Sequence, residues 1–187
     1  MNNIDDMMTI WKEMDSKLTF LVDENKKLVD KIKKDKLKSK QEKLIAKYRG
    51  FIVMEGIGIP LILLAVGLNP LIIEKYRWPT LIYFICFFLL EICIDAFLLY
   101  KLNRIDIYND SITNISRQAK TNWKTHKIAV LIGIPIAVGA VALISLAVGA
   151  NKAFLYGIFV GGAIGVALGL NEFLKFMKNY KSMTKDE

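Results

Sequence analysis

Cysteine and histidine are almost missing: the chain has only Cys86, Cys93 and His126. The two cysteines fall seven positions apart on one expected helix, about 10 Å along its axis, too far to bridge each other. So few thiols and imidazoles exclude a disulfide framework and a histidine–cysteine metal site. A lone His126 also leaves no nucleophile–base arrangement, so the chain reads as a non-enzyme without metal or cofactor. Charge is missing locally. Residues 51–73 hold one charged side chain, Glu55, whereas residues 1–49 hold 13 Lys/Arg and nine Asp/Glu. A water-soluble protein interleaves charged and apolar residues at the period of its helices or strands; blocks of this kind are the signature of a bilayer. The first apolar stretch lies behind that charged segment, so it reads as a retained anchor rather than a cleaved leader.

Four stretches have the length and composition of spans: Phe51–Ile73, Trp78–Leu102, Ile128–Ala150 and Ala153–Phe176. Each is long enough to cross a hydrocarbon core of ~30 Å. Pro60 and Pro135 lie inside the first and third and are expected to kink them. The expected fold class is an all-α integral membrane protein, with four transmembrane helices as two hairpins behind an N-terminal cytoplasmic coiled-coil helix. The divisions are a coiled coil and basic stalk (1–49), a first hairpin (50–102), an inner amphipathic loop (103–127), a second hairpin (128–176) and a tail (177–187). Basic residues set the orientation. The N-terminal segment carries 13, the stretch from Lys101 to Lys127 six and the stretch from Lys175 onward four, against Lys75, Arg77 and Lys152 on the other side. Both termini are therefore expected in the cytoplasm.

Ile4, Met7, Trp11, Met14, Leu18, Leu21, Asn25, Leu28 and Ile32 recur at alternating spacings of three and four without a gap. This heptad predicts self-association, with Trp11, Leu18, Leu21, Asn25 and Leu28 in the interface. A single Asn in such a seam fixes register and favours a parallel pair. Met8, Ile10, Val22 and Val29 widen the stripe, which also suits a larger bundle, a partner helix, or packing back onto the inner loop. Asp35, Ser39 and Glu42 break the repeat, so the coil is expected to end near Ile32. From Lys26 to Arg49 eleven Lys/Arg face three acids, a segment drawn to anionic headgroups at about 1 kcal/mol per residue. No fold motif or aromatic platform suits nucleic acid, which is not expected as a partner.

The sequence Trp11-Lys12-Glu13-Met14, the heptad after it, the run Lys47-Tyr48-Arg49 and the paired hairpins resemble a group of poorly characterised bacterial four-helix membrane proteins. Some of those are encoded beside extracytoplasmic-function sigma factors. The resemblance implies a regulator in the bacterial cytoplasmic (inner) membrane whose arm meets a cytoplasmic protein.

The fourth span has Gly157, Gly161, Gly165 and Gly169 four apart, and the third has Ala129, Gly133 and Ala137 at the same spacing. Small residues along one ridge let backbones approach in lipid, and the two ridges are expected to pack against each other. An oligomeric pore is the alternative. Glu55, Glu91 and Asp95 lie inside the first two spans with no Lys or Arg among them. Intramembrane acids mark proton, cation or ligand paths by default, and an ionised one alone at mid-depth costs at least ~2.5 kcal/mol. Antiparallel helices would bring Glu55 and Asp95 to one depth, ~9 Å from the inner boundary, with Glu91 a turn deeper. The alternative is that Glu55 and Asp95 pair with Arg49, Lys101 or Arg104, an escape Glu91 does not have. The functional expectation is a membrane regulator or scaffold that self-associates and contacts a cytoplasmic partner; the alternative is a proton- or cation-coupled transporter or channel.

Overall fold

The computed structural model describes residues 2–149 and 152–184, without the side chains of residues 2–5 and Phe154, and their regular structure is all helical. Helix α1 spans Asn2–Gly67, α2 Glu74–Asn103, α3 Ile112–Val148 and α4 Lys152–Thr184. All four are long and apolar enough to cross a membrane, and at most 17% of any apolar window is buried within the chain. Apolar surface turned outward to that extent is unsustainable in water. The chain divides into two compact units, Met1–Ser39 and Lys40–Glu187.

In the first unit the helix does not stop at Ile32. No Gly or Pro occurs before Gly50, and Lys, Leu, Glu, Gln and Ala dominate residues 33–47, so propensity carries the helix on after the apolar repeat fades. A Glu13–Lys17 pair at 2.7 Å braces one exposed face. The heptad position Ile4 has no described side chain. The side chains from Met7 to Leu28 in that repeat are exposed.

The second unit is closed at two ends. At the one where α1 turns into α2, Val66, Ile72, Leu81, Ala147 and Val148 form a cluster, and the Ile73 amide donates to the Ala147 carbonyl at 2.8 Å. Gly149 ends α3 at φ 68°, the left-handed conformation that glycine reaches at least cost. Of the turn expected at Asn151–Lys152, Asn151 lies outside the described residues and Lys152 opens α4. At the other end Leu44, Leu98, Leu102, Ile115, Phe176 and Met183 are buried. Both amide protons of Gln41 serve the end of α2 there, donating to the carbonyls of Leu102 and Ile105, each at 2.8 Å.

Two expectations are corrected. Residues 112–127 are not a separate amphipathic element but the first turns of α3, capped by Ser111 Oγ, which accepts from the Asn114 amide at 3.2 Å. The ridges of α3 and α4 do not zip together: a Cβ on Gly157, Gly161, Gly165 or Gly169 would meet nothing within 4 Å. The small positions of α3 are taken by bulky groups of α2. A Cβ on Gly133 would lie 3.2 Å from Glu91 Oε1, and one on Gly139 would lie 2.6 Å from Tyr83 Oη. Tyr83 donates across this gap to the Ile136 carbonyl at 2.7 Å. A third close approach sets Gly58 of α1 against Phe88 of α2, 2.8 Å from a notional Cβ.

Candidate functional site

Gly133 gives the acidic group its third wall. Glu91 and Asp95 are one turn apart on α2, Glu55 comes from α1, and the missing side chain of Gly133 makes room for the Glu91 carboxyl. Glu55 interacts electrostatically with both Asp95 and Glu91. Its Oε2 is buried without a hydrogen-bond partner, and Asp95 is 8% exposed. The expected alternative, pairing with inner-boundary cations, is not what the structure has. None of the three acids forms an ion pair among the described residues. Instead Lys101 Nζ sits over the Phe97 ring at 4.5 Å and the Arg104 guanidinium over the Tyr100 ring at 5.7 Å. Nor do three His, Cys, Asp or Glu side chains converge as a metal-ligand set among the described residues.

Below the acids lies a group that sequence reasoning missed. The Tyr48 hydroxyl is 3.0 Å from His126 Nδ1 and 3.1 Å from the Tyr180 hydroxyl. It joins α1, α3 and α4 just beyond the apolar stretches. His126 is sandwiched by stacking, with Trp123 at 5.6 Å and Phe176 at 4.8 Å between centroids. Burial holds its pKa at about 4, so it is neutral at physiological pH. Burial likewise raises both tyrosines, Tyr180 to about 12. Asp95 is close enough to act electrostatically on both tyrosines. Beside them Glu172 of α4 pairs with Lys47 and Lys175, and Lys47 lies 4.9 Å over the Phe176 ring.

The other sequence-predicted residues are not gathered into a site. Trp11, Leu18, Leu21 and Leu28 are each more than half exposed on the arm, and Asn25 is exposed with them. Of the five glycines expected in helix packing, Gly133 alone has a neighbour within 4 Å of a notional Cβ. No protein-family model, curated protein or solved structure matches the chain.

Proposed function

We propose that the chain is a non-enzymatic scaffold or regulator, held in a membrane by four spans and self-associated through its N-terminal helix, which also meets a cytoplasmic protein. The observation that carries this reading is the bare arm. Met7, Trp11, Met14, Leu18, Leu21 and Leu28 are all more than half exposed on one side of an uninterrupted helix. Burying each such side chain is worth ~1.5–3 kcal/mol, so the stripe strongly favours a covering helix. The Asn25 position favours a second, parallel copy. The bias in basic residues supports cytoplasmic termini, and the resemblance supports a bacterial inner membrane. Anionic headgroups are the natural neighbours of the stalk.

A proton-coupled transporter is the second reading, favoured by the buried, unpartnered Glu55 oxygen and the space beside Glu91. Deleting residues 1–35 separates the two. A scaffold should fall from oligomer to monomer in mild detergent and lose any co-purifying cytoplasmic protein, while still inserting in the membrane. An unchanged oligomer, together with proton flux in proteoliposomes that Glu91→Gln abolishes, would replace the scaffold with a transporter.

A further inference from the structure

Where α2 ends and α3 begins, a cleft of about 530 Å³ opens between them. Lys101 and Arg104 reach it from the end of α2, and Arg117 from the second turn of α3. Among the described residues none of these three cations has a carboxylate partner. Lys101 and Arg104 rest on aromatic rings, and Arg117 donates to the neutral Asn114 Oδ1 at 3.0 Å. The nearest acid bound to a lining residue is Asp110, which accepts from Gln118 at 3.0 Å. Asn122 lines the same cleft at 2% exposure.

Three cations around one opening repel each other until an anion enters. Guanidinium groups match the paired oxygens of a phosphate. The cleft is also two-sided. Phe97 and Tyr100 line it toward the apolar stretch of α2, whereas Arg104 and Arg117 lie on the polar side. A ligand that fits both sides is an amphiphile with an anionic head.

We propose that this cleft binds the headgroup phosphate of an anionic phospholipid, whose glycerol and upper acyl chains lie along Phe97 and Tyr100. Lys101, Arg104 and Arg117 neutralise the phosphate, and Asn122 donates to one of its oxygens. The site is separate from the basic stalk at residues 26–49 and independent of what covers the arm.

The test uses the full-length protein in mild neutral detergent, with bound lipid counted by native mass spectrometry and the melting temperature measured in parallel. Phosphatidylglycerol should bind and raise the melting temperature, whereas phosphatidylcholine at equal mole fraction and inorganic phosphate should do neither. Arg104 and Arg117 are both exposed, so Arg104→Gln with Arg117→Gln leaves the buried core intact. That pair should weaken phosphatidylglycerol binding at least about tenfold, the loss of one to two charge-assisted bonds. Arg104→Lys with Arg117→Lys should recover part of it, and Lys36→Gln with Lys43→Gln in the stalk should leave it unchanged. Undiminished binding by the glutamine pair, or equal binding of phosphatidylcholine, would overturn the proposal. Inorganic phosphate reproducing the full shift would make the ligand a free anion and overturn the lipid. Lipid counting decides between these outcomes even where a variant melts without a sharp transition.

Discussion

Helices α3 and α4 carry similar series of small residues but use them in opposite ways. On α3, Gly133 and Gly139 are filled by the ends of Glu91 and Tyr83 from α2. On α4, a Cβ added at any of the five glycines from Gly157 to Gly169 would meet nothing within 4 Å, and the apolar window of that helix has 0% of its residues buried. Instead α4 is fastened toward its C-terminal end, by Tyr180 to Tyr48, by Phe173 to Trp123 and by Glu172 to Lys47. A cleft of about 520 Å³ stays open above these contacts, lined by Phe51, Val130, Ile134, Val166 and Leu170. Small residues permit close approach, but the bulky groups available opposite them decide which approach occurs. Phe88, Glu91 and Tyr83 belong to α2, which packs along α3 and meets α1 closely at Gly58.

The sharpest way to break this contrast is to fill the glycines on each side. Gly58→Leu and Gly133→Leu drive a side chain into Phe88 and Glu91, and each should cost ~1–3 kcal/mol or prevent folding. Gly161→Leu has open space and should leave the stability of a single copy unchanged, as read by thermal unfolding in detergent. Equal losses on both sides would mean that α4 packs on something in its working state. A second copy would then be the first suspect, and a drop in oligomer mass for Gly161→Leu would identify it.

Lowering the pH probes the fastening of α4. His126 has a pKa of about 4 against an ordinary 6.5. The unfolded chain therefore takes up a proton first, and stability is lost as pH falls from 6.5 through 4. The full loss is about 3 kcal/mol. A melting series from pH 7 to 4.5 should fall less steeply in His126→Gln. Parallel slopes in the two proteins would show that His126 titrates as freely as in an open chain.

The smallest expected effect is Tyr180→Phe, which removes one hydroxyl from the chain joining α4 to Tyr48. About 1 kcal/mol should be lost, with Phe173 and Phe176 still holding the helix. A loss several times larger would make that hydroxyl the main tie of α4, and the aromatic stacking secondary.

Much of this is legible in the sequence, because blocks of apolar residues and a gapless heptad are local patterns. The four helices and the grouping of Glu55 with Glu91 and Asp95 follow from spacing and antiparallel connection alone. The partner of a glycine is not local, so spacing pairs Gly133 with the wrong neighbour. Tyr48, His126 and Tyr180 are separated by 78 and 132 positions measured from Tyr48, and no periodicity links them. Gln41 does leave a trace. It falls on the same edge as Leu37, Leu44 and Tyr48, a polar residue on an apolar seam, which is the mark of a buried donor awaiting backbone acceptors.

That glutamine has a mechanical consequence. Its two bonds to α2 share one nitrogen, so they cannot be surrendered one at a time by twisting. Turning the inner part of α1 by a single register step, about 100°, would strip the Leu102 and Ile105 carbonyls together. Lys47 and Tyr48 hold the next two turns of the same helix, so it behaves as a shaft keyed at several points: torque is resisted up to a threshold, and then the keys slip. The slip would unseat the turn that carries Lys101 and Arg104. A ligand gripping those side chains would therefore raise the torque at which α1 lets go, and a twisted α1 would loosen that ligand by the same free energy.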